Sequence, residues 1–559
     1  MGLTTNLFSG RGETDHDLAV IEGHWPDDCD GAVIVVGPDK RAPGGHWFGA
    51  HGLLCRIDLA PLADGRIRVR HRRVRTPLAR VREWFPFLFA TVAFMELSPL
   101  GVSNLANTNV QPIDGRLFVG YDAGRPVEVD PETLDVLSAV GSNGEWFQAA
   151  PGLYEPLVSV AAHPAPDHDE PALYFVNYSP VPSTDGAPEV YLARWDLAGE
   201  IQRWRLDGVG DIDSFHDIKA TRDYLVFTDL PFVVDPATFR GAPRTQVNQD
   251  FTRLYIVAKA DLAATPVGGT VSVREVIIPM PTGHLTVDLE NPDGVVTAYL
   301  EHIPLADLML TATAESVTRD GTPIHPDHEG LIALAVQPGA VGRYRIDTAS
   351  GEILDDDLAT DDRFWGGILA TRNLWTEEGR RAGRALWYAG LGFDPGVIPS
   401  TWWDLYGDGA LEHLVAPEDL PTEPVAASLS RFDLESMKVT DVFSFPSGAF
   451  ASPPTFVPRR GGSGPDDGYV VAIVHRDGPK EIQIFHGSAL ERGPLARVSA
   501  PDFRPPLLLH SCWMSSDGPA WTSDYRVSAW ADVWGAIRAL PGHVVRIARL
   551  ARAMRHELG

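Results

Sequence analysis

Five times along this chain an alternating apolar segment runs into an aspartate, a turn and a second alternating segment. The copies are CRIDLAPLADGRIRV, VEVDPETLDVL, ARWDLAGEIQRW, YRIDTASGEIL and SRFDLESMKVTDV, with Asp58, Asp130, Asp196, Asp347 and Asp433 at the turn. An aspartate side chain accepts hydrogen bonds from backbone N–H groups two residues on, and so closes a turn between two strands. Degenerate copies are read at 254–265 and 481–493. The spacing between neighbouring copies suits one four-stranded blade plus its loops, and the count predicts an all-β chain: a β-propeller of about seven blades. Long inter-blade loops would build a dome over one end of its axis. The propeller is assigned to residues 1–515, with 516–559 as a C-terminal extension.

The rest of the chain is punctuated accordingly. There are 53 glycines and 46 prolines, and between them short β-branched and aromatic runs predict strands at 31–36, 116–120, 173–177, 224–228, 253–258, 295–300, 331–336, 385–389, 469–474 and 481–485. Two stretches do not suit a blade. Residues 83–100 are apolar and read as helical or irregular. Near the end, Val544, Ile547, Leu550, Met554 and Leu558 recur at helical spacing among Arg546, Arg549, Arg552 and Arg555, after a break expected at Pro541 and Gly542. That basic amphipathic helix would pack on the propeller or lie on anionic lipid, and packing is the favoured reading.

Charge narrows the partners. With 47 Lys and Arg against 75 Asp and Glu, the net charge of −28 argues against nucleic acid, whose backbone needs clustered cations. Three cysteines, Cys29, Cys55 and Cys512, make neither a disulfide scaffold nor a cysteine-rich zinc site. The first twenty residues show no signal-peptide pattern, and the longest apolar run falls short of a membrane span. A cytoplasmic protein is expected.

Four of the 18 histidines stand at expected strand ends: His163 in VSVAAHPAPDHDEPALYFV, His216 in DSFHDIKATRDYLVFTDLPF, His284 in PTGHLTVDLENPDGVVTAYL and His510 in RPPLLLHSCWM. If each belongs to a different blade, the inner strand ends converge on the axis. Four imidazoles meeting there would bind iron, copper, zinc or nickel.

These segments resemble the carotenoid cleavage oxygenases, the family that includes the lignostilbene dioxygenases and the retinoid isomerase. FHDIKATRDYLVFTDLP is close to the family pattern H-D-F-x-x-T-x-x-Y-x-V-F-x-D-x-P. GHLTVDLE resembles F-H-x-x-N-A-x-E, with Val287 in place of Asn. AAHP, the stretch at 105–137, and FVPRRGGSGPDDGYVVAIV resemble further family segments. The resemblance implies a seven-bladed propeller with one Fe(II) held by His163, His216, His284 and His510. It also implies O₂ and an apolar alkene as substrates, and no organic cofactor. His475 and His486 are alternatives to His510, whose flanks are LLHS rather than the family's G-F-H-G.

The same resemblance implies glutamates behind three of the histidines. Asp122 stands at the first such position, no glutamate is found in 361–370 at the second, and Pro453 stands at the third. Tyr121 replaces the lysine that stilbene-cleaving members carry. The apolar 85–95 stretch reads either as buried core or as the family's membrane-docking or tunnel-mouth region. The function implied is dioxygenase cleavage of a conjugated C=C bond in an apocarotenoid, phenylpropenoid or stilbene-like molecule. Isomerisation without cleavage, and ligand binding without catalysis, are the alternatives.

Overall fold

In the computed structural model, four of the five repeat aspartates close the turns assigned to them. Asp130 Oδ1 accepts from the N–H groups of Glu132 (2.7 Å) and Thr133 (3.0 Å). Asp196 does the same for Ala198 and Gly199, Asp347 for Ser350, and Asp433 for Ser436. Asp58 differs. Its carboxylate is taken by Arg56 and Arg70 on the paired strands, and its turn is closed by Leu62 N–H to Arg66 C=O, Gly65 N–H to Leu62 C=O and Arg66 N–H to Asp64 Oδ1. The degenerate copy at 254–265 is not a hairpin either. Strand Phe251–Ala258 runs directly into the helix Lys259–Ala264, where Asp261 lies in the first turn and complements the helix dipole.

The structure describes the chain except for residues 1–6, 9, 11, 168, 180–187, 211–212, 233–243, 245, 335, 367, 370–382, 410, 517–522 and 558–559; for 368–369 and 545–557 it describes the backbone. All ten expected strands are present, although 331–336 contributes only Ile332–Ala333.

Successive sheets follow the chain. Asn109–Ile113, Arg116–Tyr121, Gly124–Val129 and Val136–Ala139 form one four-stranded meander. A six-stranded sheet is built on Leu173–Ser179 and Glu189–Trp195, and four-stranded sheets begin at Ser214–Ala220, Thr282–Val287 and Ile368–Leu369. The ends of the chain meet in a ten-stranded sheet. Thr14–Gly23 pairs on one side with Ile67–Arg73 and on the other with Ala496–Ser499, while His510–Met514 pairs with Ala32–Pro38. Early and late segments therefore share one ladder, which closes the ring of a β-propeller.

Apolar side chains from neighbouring sheets interdigitate between them. Val226, Leu254 and Ile256 of one pack with Leu285, Val296 and Leu300 of the next, all nearly or wholly buried. Each such side chain contributes roughly 1.5–3 kcal/mol on burial, so the sheet-to-sheet contacts are a principal source of stability.

Two expectations are corrected. Residues 83–100 are not one helical or irregular stretch: the helix Pro77–Trp84 leads through a short 3₁₀ turn into a three-stranded sheet, Ala90–Val92, Met95–Ser98 and Gly101–Val102. Nor is its apolar start core, since Trp84, Phe85 and Phe87 are 80%, 50% and 79% exposed.

The C-terminal helix spans Ala529–Glu557 and runs through Pro541 rather than starting after it. Proline removes one N–H from the ladder, but the helix is tied to the body on both sides of it. Asp532 pairs with Arg125, and His543 Nε2 lies 3.3 Å from Gln148 Oε1. Val544, assigned to a packed stripe, is 64% exposed. The side chains of Ile547, Leu550, Met554, Arg546, Arg549, Arg552 and Arg555, and the whole of Leu558, lie outside the described residues. Among the described residues no helix is long and apolar enough to cross a membrane. All three cysteines are buried, and none of them forms a disulfide.

Candidate metal centre

Four different sheets deliver the four histidines. His163 follows the short strand Ser159–Val160, His216 lies in Ser214–Ala220, His284 in Thr282–Val287, and His510 opens His510–Met514. One nitrogen from each ring lies within 4.8 Å of the others. Ring centroids are 4.4 Å apart for His163 and His510, 4.7 Å for His163 and His216, and 4.8 Å for His284 and His510. With metal–nitrogen bonds of ~2.1 Å, donors across one ion stand up to ~4.2 Å apart, so small inward shifts close the group on a single ion.

Backbone bonds fix this convergence. His163 N–H donates to His216 C=O (3.1 Å), and Ile218 N–H donates back to His163 C=O (3.2 Å). Asp217 extends the clamp. Its carboxylate accepts from Leu285 N–H, beside His284, and pairs with Lys219. Asp217 was not singled out from the sequence, although it adjoins His216. The strand Ser214–Ala220 carries a bulge between Phe215 and Asp217, which re-aims His216 itself.

The chemistry of the cage suits a cation. Nε2 of His163 and of His284 is buried without a hydrogen-bond partner among the described residues, an arrangement folded proteins rarely tolerate unless something else meets the nitrogen. Burial, then the neighbouring imidazoles, holds His163 and His510 well below the usual histidine pKa, and burial lowers His284 to about 3. They are therefore neutral, as ligation requires. His216 goes the other way. Burial opposes its charge, but the Asp122 carboxylate, 2.8 Å from Nδ1, raises it.

The structure thus brings His163, His216, His284 and His510 together and sets Asp122 against one of them. His475 and His486 stand apart: His475 bonds Ser452 Oγ (2.8 Å) and stacks on Phe450, and His486 bonds Ser488. Tyr121, beside Asp122, is buried. A second carboxylate, Glu301, lies behind His284 and was missed, because its approach depends on strand register rather than on any local motif.

A ring of mainly antiparallel sheets that brings four imidazoles together defines a β-propeller with a four-histidine group that could hold a metal ion. The chain belongs to the family described as retinal pigment epithelial membrane protein, whose model matches residues 7–369 and 406–515. It is 22% identical over 520 residues to apocarotenoid-15,15'-oxygenase of Synechocystis, covering 89% of this chain and 90% of that one. It is 27% identical over 242 residues to resveratrol cleavage oxygenase 1 of Aspergillus fumigatus, a match spanning 41% of this chain and less than half, 45%, of that oxygenase. Among solved structures, a variant of Synechocystis apocarotenoid oxygenase superposes with a TM-score of 0.63 at 18% identity, over 92% of this chain and 98% of that one. Lignostilbene dioxygenase of Pseudomonas brassicacearum gives 0.61 at 20% identity, over 92% and 100%.

Proposed function

We propose that this protein is a non-haem iron(II) dioxygenase that adds both atoms of O₂ across a conjugated C=C bond of an apolar alkene, releasing two carbonyl products. The substrate class is apocarotenoid or stilbene-like. The observation that carries this reading is the convergence of four imidazoles from four sheets, three of them held neutral by burial, with no carboxylate in the group itself. Imidazole ligates as a neutral group, so four of them would leave a dication's charge uncompensated and room at the ion for O₂ and substrate. Iron(II), when bound, would supply the one-electron reactivity that lets O₂ attack a closed-shell alkene.

The chain's own residues do the rest. His163, His216, His284 and His510 hold the ion. Asp122 accepts from His216 Nδ1–H, which fixes the tautomer and turns the other nitrogen toward the centre. Residues 1–515 form the oxygenase domain in this reading, with 516–559 as its extension. The ten-stranded sheet counts as two blades joined through Thr14–Gly23, giving seven in all. The exposed Trp84, Phe85 and Phe87 offer a rim through which an apolar substrate would be taken from a lipid surface.

Isomerisation on the same centre is the second reading. It is favoured by the altered outer ring, in which Asp122 is one methylene shorter than glutamate and His510 Nδ1 has no hydrogen-bond partner among the described residues. Incubation of the iron-loaded protein with apocarotenoid and stilbene alkenes under ¹⁸O₂ separates the readings. Cleavage gives two labelled carbonyls, isomerisation gives unlabelled product of unchanged mass, and no turnover leaves a binding protein. His216→Ala is expected to abolish both iron retention and product; a variant with full iron occupancy would sink the assignment.

A further inference from the structure

We propose that Glu301 is the positioning residue for His284, supplying from the neighbouring strand the carboxylate that the 361–370 segment lacks. The inference rests on the reading of the four histidines as metal ligands.

Register makes the contact. Strands Thr282–Val287 and Val295–His302 are antiparallel, with Thr282 opposite His302. Continued regularly, that register would set His284 opposite Leu300. Instead the ladder shifts by one residue between Thr282 and His284, with Gly283 as the extra residue, and His284 falls directly opposite Glu301. Directly opposed residues share a face of the sheet, so the two side chains meet. His284 Nδ1 lies 3.6 Å from Glu301 Oε2, both side chains being nearly buried.

The polarity is the one a ligand needs. Nδ1 faces the carboxylate, while Nε2 is buried without a hydrogen-bond partner among the described residues and is left for the four-histidine group. The buried phenol of Tyr388, on strand Ala385–Gly390, lies close to Glu301, whose charge adds to burial in pushing the Tyr388 pKa up. A carboxylate taken this far from water is costly unless it is partnered, and a metal-bound imidazole, whose Nδ1–H is a stronger donor than a free one, is such a partner.

Neither carboxylate of the 361–370 segment is offered instead: Asp361 is taken by Arg363 through 2.8 and 2.7 Å bonds, and Asp362 is exposed. Glu301 thus stands behind His284 as Asp122 stands behind His216, brought there by a bulge, at 3.6 Å where Asp122 is already at a hydrogen-bonding 2.8 Å.

The test uses Co(II) as probe, added to the metal-free full chain, with affinity read by chelator competition and ligand geometry by the visible Co(II) bands. Glu301→Gln should weaken Co(II) binding ~10–100-fold and shift the bands, with the melting temperature of the metal-free protein little changed. Glu301→Asp, which keeps the charge but retracts it, should fall between, and serves alone if the glutamine variant does not fold. The double variant with Asp122→Asn should show additive losses, since each carboxylate serves a different histidine. Wild-type affinity and spectrum in the Glu301 variants would overturn this proposal while leaving the four-histidine centre standing. Failure of the wild-type chain to take Co(II), or its full retention by His216→Ala, would overturn the centre itself and this proposal with it.

Discussion

Asp122 and His216 lie 94 residues apart in the chain, yet Asp122 Oδ1 approaches His216 Nδ1 to 2.8 Å. The carboxylate fixes which ring nitrogen carries the proton and raises the affinity of the imidazole for a cation. Asp122→Ala is expected to weaken metal retention by ~10–100-fold, measured by the same chelator competition. His216→Ala, by contrast, should abolish it. Equal effects in the two variants would mean that Asp122 does more than orient the ring.

A buried ion pair anchors the start of the C-terminal helix. Arg125 and Asp532 are 4% and 7% exposed and meet through 2.7 and 3.2 Å bonds, and Asp532 Oδ1 also accepts from Asn143 N–H. Removing one partner leaves a buried charge, a loss of ~3–5 kcal/mol. Asp532→Ala should lower the melting temperature and expose the helix to limited proteolysis, and a neutral result would show that the helix is held mainly by other contacts.

Stability should also fall with rising pH through one identifiable group. Glu155 is buried against the N-terminus of the helix Pro77–Trp84, where its Oε2 accepts from Leu78 N–H, and burial pushes its pKa up from 4.5 to about 7 despite the charge of Arg125. Between those values the folded chain holds a proton that the unfolded chain has released. The protonated carboxyl therefore favours folding below about pH 4.5, and this advantage is lost as pH rises through about 7, on the order of 3 kcal/mol in all. Glu155→Gln should flatten that part of the stability–pH curve in denaturant titrations.

The aromatic rim has a direct assay. Trp84→Ser with Phe87→Ser should reduce co-sedimentation with neutral phosphatidylcholine vesicles and leave thermal stability unchanged, because both side chains are exposed. Neutral vesicles are the right probe, since a net charge of −28 repels anionic lipid. Undiminished sedimentation would place lipid contact elsewhere, with the C-terminal helix next to be tested by deleting 541–559.

Much of the fold was legible because it is local. An aspartate that closes a turn acts over two or three residues, so Asp130, Asp196, Asp347 and Asp433 could be read directly from their neighbours. Asp58 departs from the pattern because two arginines, Arg56 on its own strand and Arg70 on the paired one, take its carboxylate away from the turn. Pro541 looked like a boundary by its own chemistry, and only the tertiary anchors Asp532 and His543 carry the helix through it.

The sequence by itself determined the strand-rich architecture, its repeating turns, and four histidines each at a strand end, because periodicity and turn chemistry are properties of short segments. What only the tertiary structure decided is how those histidines stand to one another and what stands behind them. Imidazoles from four sheets gather within 4.8 Å because the ring closes through a sheet shared by both ends of the chain. Glu301 reaches His284 because one extra residue, Gly283, shifts a ladder by a single step. A slip of one residue exchanges every cross-strand neighbour, and the chain carries no local mark of it, so the carboxylate behind the second histidine was visible only once the strands had paired.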